Sequence, residues 1–68
     1  MQPSYEKFED FLKQKNVSVS TICIETGIPG RTFSDWKKKK SYPKVAKLYK
    51  IASYFGVQME ELLSSTGD

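Results

Sequence analysis

Residues 18–38 constrain the fold of this chain more than any other segment, because they predict two short helices joined by a tight turn. Ser18 is a good N-cap residue for the first of these helices. Gly27 can adopt the left-handed conformation that ends a helix, and Pro29 suits the first turn of the helix that follows. The segment therefore predicts a helix–turn–helix.

The second helix of this pair has an apolar face and a polar face. Phe33 and Trp36 lie three residues apart on the apolar face, which indicates that they anchor the helix in the core. The opposite face carries hydrogen-bonding side chains at helical spacing: Arg31, Ser34, Asp35 and Lys38. Such a helix is suited to a DNA groove, where its polar side chains reach base edges.

Charge is distributed unevenly along the sequence. The net charge is +3, but residues 31–50 hold eight Lys or Arg and one acidic residue, so this stretch carries +7 and the remainder −4. An excess of positive charge on one face is typical of a protein that binds a polyanion. A solvated lysine-rich helix would show the same counts. The position of the lysines, directly after the helix–turn–helix, favours contact with phosphates.

The residue types present exclude several classes of site. The chain has 68 residues, one cysteine and no histidine, so neither a disulfide framework within a monomer nor a His/Cys metal cluster is available. Cys23 lacks a histidine that would activate it as a nucleophile. No apolar run approaches the roughly 20 residues of a membrane span, and the amphipathic N-terminus does not resemble a signal peptide. We expect a cytoplasmic protein that is not an enzyme and needs no metal or cofactor.

Hydrophobic periodicity predicts a single domain over residues 1–68. Five helices are predicted, over about residues 4–14, 19–26, 30–38, 43–55 and 58–64. Ser4 is a plausible cap for the first helix, Pro43 suits the first turn of the fourth, and Gly56 ends it. The expected core stripe of the fourth helix is Val45, Leu48, Ile51, Ala52 and Phe55. Residues 64–68 are expected to be a frayed tail, and no strand is predicted.

The pattern resembles that of the Cro/CI family, the lambda-repressor-like regulators of phages and bacteria. The shared features are a small residue, Cys23, where the two helices cross, and Gly27 four residues later. The matching apolar positions are Ile22, Ile28, Phe33 and Trp36. The resemblance continues through residues 41–63, which end in the Gly-Val and Leu-Leu pairs of that family's closing helices.

This resemblance covers nearly the whole chain and implies both a fold and a function. The implied fold is all-α, a compact five-helix lambda-repressor-like bundle. The implied function is sequence-specific binding of double-stranded DNA by a repressor-like transcriptional regulator, at the nucleoid of a bacterial cell. Family members usually bind palindromic operators as homodimers. The candidate dimer surface here lies on the last two helices, with Tyr49, Tyr54, Met59 and Leu63 as contacts.

The candidates for reading DNA bases lie on the third helix: Arg31, Thr32, Ser34, Asp35 and Lys38. Arg31 is the strongest of them, because its planar guanidinium can donate two hydrogen bonds to a guanine in the major groove. It can alternatively contact a phosphate or pair with Asp35 one turn further on. For Asp35, a structural role as the partner of Arg31 is favoured over acceptance of a cytosine amino group.

Phosphate contacts are expected from the start of the second helix and from the basic stretch: Ser18, Ser20, Thr21, Gly30, Lys37, Lys39, Lys40, Ser41 and Lys44. Relatives commonly carry glycine where this chain has Lys39. Either Lys39 adopts a left-handed backbone, which costs on the order of 1 kcal/mol relative to glycine, or the third helix continues through it.

An alternative function for the same fold is a protein-interaction module, such as an anti-repressor or an antitoxin-like partner. Such a module would present an apolar surface patch and would be indifferent to DNA. The +7 charge of residues 31–50 argues against it.

Overall fold

A computed structural model describes residues 2–64 and contains four α-helices: Tyr5–Lys15 (α1), Val19–Thr26 (α2), Gly30–Lys37 (α3) and Val45–Phe55 (α4). A 3₁₀ helix, Met59–Leu62, follows α4, and two short strands, Gln2–Pro3 (β1) and Leu63–Ser64 (β2), pair antiparallel. The predicted helical fold is confirmed, but the count of five α-helices is not. Within the part of the chain that is described, no helix is both long and apolar enough to cross a membrane.

The ends of the first two helices are set by local capping interactions. Ser4 and Ser18 each accept a hydrogen bond from the backbone N–H three residues further on, at 3.4 and 3.3 Å, and so cap α1 and α2 as predicted. Gly27 ends α2 with a left-handed backbone, φ 75°. Asn16 ends α1 in the same conformation, φ 55°, which asparagine tolerates better than most residues.

The core is built around Phe8, which is fully buried. Its ring centroid lies 5.2, 5.1 and 5.9 Å from those of Phe33, Trp36 and Phe55. The buried aliphatic residues around this aromatic cluster are Ile22, Ile28, Leu48, Ile51, Ala52 and Leu62. Aromatic pairs at these distances contribute beyond their buried area. Phe33 and Trp36 therefore anchor α3 in the core, as the sequence predicts.

The segment after α4 differs from the predicted helix over 58–64. Only Met59–Leu62 is helical, as a 3₁₀ turn, because Leu63 has an extended backbone (φ −102°, ψ 149°) and pairs with β1. Ser64 is also paired and is 5% exposed, so the prediction of a frayed tail and no strand is wrong at this residue. The rest of that tail, residues 65–68, lies outside the described residues.

The start of α4 also differs from the prediction. Lys44 has an extended backbone, ψ 172°, so the helix begins at Val45 rather than at Pro43. Pro43 is instead buried in the loop before the helix. Val45 was expected in the core but is 70% exposed in the first turn of α4. The other four residues of the predicted stripe are buried, and Gly56 (φ 72°) ends the helix as predicted.

Candidate nucleic-acid interface

The helices α2 and α3 form a helix–turn–helix in which Gly30 and Cys23 lie close together. A Cβ atom built on Gly30 would lie 3.8 Å from Sγ of Cys23, so α3 begins directly beside α2. The hydroxyl of Thr26 donates to the carbonyl of Ile22 at 2.6 Å and accepts the N–H of Ile28 at 3.3 Å. These bonds close the turn, and Thr26 is a residue for which sequence analysis predicted no role.

The exposed face of α3 carries most of the side chains predicted to read bases. The side chain of Arg31 is 89% exposed, and Ser34 and Lys38 are exposed as well. Thr32 and Asp35 are half-buried, and so lie at the edges of this face. The amphipathic pattern of α3 thus leaves three of the five candidate side chains free to enter a DNA groove. The other two are partly covered by neighbouring residues.

Arg31 and Asp35 form an ion pair one turn apart on α3, with Nε of the arginine 3.6 Å from Oδ2 of the aspartate. This confirms the pairing that the sequence predicts. An exposed pair of this spacing contributes only a few tenths of a kcal/mol. The guanidinium can therefore exchange the carboxylate for a base or a phosphate at little cost.

The chain leaves α3 through a left-handed turn at Lys39, where φ is 61°. The N–H of Lys39 donates to the carbonyl of Trp36 at 3.0 Å, and the N–H of Lys40 donates to that of Asp35 at 2.8 Å. These two bonds form a Schellman motif, which requires positive φ at the residue that Lys39 occupies. Of the two predicted alternatives, the strained turn is confirmed, and the helix does not continue through Lys39. The motif leaves residues 37–41 exposed.

A surface cleft between α3 and the start of α4 brings three of the predicted contact residues together. Thr32, Ser41 and Lys44 line this cleft, whose volume is about 390 Å³. Lys47 lines it too and was missed by sequence analysis. Two signals pointed to Lys47: it belongs to the basic stretch 31–50, and it follows Lys44 by three residues.

A second cleft, of about 290 Å³, lies at the other side of the C-terminal end of α3. Lys37 and Lys39 line it together with the carboxylates of Glu6 and Glu9. Tyr5 lies in the same cleft, and burial raises the pKa of its hydroxyl, with a smaller contribution from the charge of Glu9. Because carboxylates repel phosphates, the basic surface ends at this cleft.

The start of α2 is the remaining predicted contact. Oγ of Ser18 accepts the N–H of Thr21 and lies 3.2 Å from its hydroxyl, while Ser20 is exposed. The first N–H groups of a helix have no partner within the helix, and the helix dipole favours an anion there. The capping role of Ser18 is confirmed, and the phosphate contact of all three residues stays a prediction.

Comparison with known protein families finds a match that includes the helix–turn–helix. Residues 7–68 match the Cro/C1-type HTH DNA-binding domain. The chain belongs to the Cro/C1-type helix–turn–helix family. The match confirms the resemblance inferred from the sequence and assigns this Cro/C1-type domain to the binding of double-stranded DNA. Searches of curated proteins and of solved structures gave no significant match.

Proposed function

We propose that this Cro/C1-type domain is a repressor-like regulator that binds a specific duplex operator, with α3 in the major groove. The observation that supports this most is the construction of α3. Its outer face presents Arg31, Ser34 and Lys38, while Phe33 and Trp36 hold the inner face in the core, each 1% exposed. Specificity requires base-reading side chains on a rigid element, and α3 meets that requirement.

Arg31 is proposed as the principal base reader, with a guanine as its partner. Asp35 orients the guanidinium from one turn away, at 3.6 Å in the unbound domain. Ser34 and Lys38 extend the reading surface along α3. Thr32 lies at its edge, where a methyl group can contact thymine and a hydroxyl can contact a phosphate.

Phosphate contacts are proposed on both sides of α3. On one side the start of α2 offers Ser18, Ser20 and Thr21, and the N-terminus of α3 offers the backbone N–H of Gly30. On the other side the exposed turn and the cleft before α4 offer cations and a hydroxyl: Lys37, Lys39, Lys40, Ser41, Lys44 and Lys47. These groups fix the register of the domain on the duplex but do not select a sequence.

We also propose that two copies bind a palindromic operator. Tyr49 is 61% exposed and Val45 70% exposed on α4. Val45 lies at an apolar groove of about 540 Å³, whose other apolar lining residues are Pro3, Pro43, Leu48, Met59 and Leu63. An exposed apolar groove of this kind is typical of an interaction surface. Tyr54, the fourth predicted dimer contact, is half-buried and lines a different cleft beside Tyr49.

The same groove favours a second candidate, a protein-interaction module. Ile24, on the outer face of α2, is 80% exposed and is a further apolar side chain at the surface, outside this groove. Such a module would not need seven units of positive charge around α3, which is why we favour DNA as the partner.

Selection of bound duplexes from a random pool tests the proposed function. We expect one enriched motif with two-fold symmetry and a guanine within each half-site. Recovery of unenriched sequences would refute specific binding, and a single unrepeated half-site would refute the dimer. If the protein binds no duplex even at low salt, that result would support the protein-interaction module instead.

A further inference from the structure

Pro3, near the N-terminus, is hydrogen-bonded to α3, the helix that is proposed to read DNA. Trp36 is 1% exposed, and its Nε1–H donates to the carbonyl of Pro3 at 3.3 Å. A buried indole N–H needs such an acceptor, because an unpaired donor in the core is costly. The last turn of α3 is therefore linked to a segment that lies outside the helix–turn–helix.

The carbonyl of Pro3, which accepts the indole N–H of Trp36, is held in place by residues 62–64. Pro3 lies opposite Leu63 in the pair of strands. Next to it, the N–H of Ser4 donates to the carbonyl of Leu62 at 2.7 Å, and Nζ of Lys7 donates to the carbonyl of Leu63 at 2.6 Å. The acceptor is thus a backbone carbonyl that lies within a pair of strands, and the bond from Lys7 supports the partner strand.

Trp36 also supports the turn that follows α3. Its carbonyl accepts the N–H of Lys39 at 3.0 Å, and its ring meets Tyr5 edge-to-face, with centroids 5.3 Å apart. One residue therefore joins the N-terminal segment to the left-handed turn from which Lys39 and Lys40 project. A displacement of the indole would move the end of α3 and these lysines together.

We propose that residues Gln2–Pro3, the N-terminal strap, position α3 for sequence reading, with Trp36 as the positioning residue through which the strap acts. This inference rests on the proposed function, since it concerns the same DNA interface. Trp36 touches no DNA in this scheme. Base contacts need α3 at a defined depth in the groove, whereas attraction to phosphates tolerates small displacements. Loss of the strap contact therefore lowers sequence preference and leaves the electrostatic part of binding unchanged.

Replacement of Trp36 by β-(3-benzothienyl)alanine tests this inference, because sulfur replaces the N–H while the shape of the ring is kept. Trp36 is the only tryptophan, and 68 residues are accessible to chemical synthesis. We expect the ratio of affinities for the selected duplex and for random duplex to fall about three- to tenfold, the range of one neutral hydrogen bond. The dependence of affinity on salt should not change, because no phosphate contact is lost.

Removal of residues 1–3 should lower the same ratio by at least this factor, because it removes the acceptor together with the pairing of β1 with β2. In the truncated chain the analogue should cause no further loss, because the acceptor of the indole N–H is already absent. Ile51→Val serves as the control for general destabilisation, since Ile51 is a fully buried residue of α4. Measured well below its unfolding temperature, this variant should keep the wild-type ratio.

Amide hydrogen exchange in the free domain gives a readout that does not depend on DNA. The N–H groups of Lys39 and Lys40 should exchange faster in the analogue than in Ile51→Val, because the turn opens locally. If wild-type protein binds no duplex, the proposed function fails, and exchange alone then decides whether the strap holds the turn. An unchanged affinity ratio overturns the role in DNA recognition, and unchanged exchange overturns the positioning of α3 itself.

Discussion

Replacement of Lys39 by glycine should stabilise the domain, although it removes a side chain from the surface. Lys39 is held at φ 61° by the Schellman hydrogen bonds, which glycine can make equally well. A residue with a Cβ atom pays about 1–2 kcal/mol for this conformation, whereas the greater freedom of glycine in the unfolded chain costs about 0.4–1 kcal/mol. The middles of these two ranges differ by about 0.8 kcal/mol in favour of glycine, which is the expected gain in stability. For a domain of this size it raises the unfolding temperature by up to about 4–8 °C.

Thermal and urea unfolding, followed by the fluorescence of Trp36, measure this change. Lys40→Gly is the matched control, because it removes the same charge from the next residue, whose φ is not positive. It should lower stability by about 0.4–1 kcal/mol through the entropy of the unfolded chain. In a titration with duplex DNA, both variants should bind more weakly than wild type if both lysines contact phosphates. A drop in the unfolding midpoint of Lys39→Gly, equal to that of Lys40→Gly, would refute the strain argument.

Three further results are expected. For wild-type protein, log K plotted against log salt should have a slope of roughly −4 to −5 if about five phosphates are neutralised; a slope near zero would exclude DNA binding by this surface. Arg31→Ala should cost about 1–3 kcal/mol on the selected duplex and flatten the preference at one base pair, whereas Lys44→Ala should weaken all duplexes alike and reduce the slope by about one. Equal losses of specific and random binding would make Arg31 a phosphate ligand. Val45→Glu should weaken self-association, seen by analytical ultracentrifugation, since it buries a charge in the proposed dimer groove; an unchanged association constant would place the dimer surface elsewhere.

Much of the helical framework was predictable, because capping and amphipathic spacing act between residues a few positions apart. Ser18 and Gly27 mark the ends of α2 through interactions that span at most four residues. The spacing of Phe33 and Trp36 likewise determined which face of α3 is buried, and hence that Arg31 is exposed. These signals are present in the sequence regardless of the rest of the fold.

The conformation at Lys39 was only partly predictable. The sequence is compatible with two conformations whose local free energies differ by about 1 kcal/mol, which is too small a difference to favour either. The residues that follow favour the left-handed turn at Lys39. Because Pro43 is buried and Lys44 is extended, the chain must turn away from α3 before α4 begins. The same loop brings Lys47 beside Thr32, a neighbourhood that no local pattern indicates.

The sequence by itself determined that a helix–turn–helix forms, where it begins, and that its second helix presents a polar and basic face. Only the tertiary structure decided how residues 2–3 and residues 63–64 meet. Pairing of Gln2–Pro3 with Leu63–Ser64 stops the last helix after one 3₁₀ turn and supplies the acceptor for Trp36. Two-residue strands are too short to leave a periodic signal. Residues some sixty positions apart meet only when the core of Phe8, Phe33 and Leu62 has closed, because only its burial offsets the entropy of joining them.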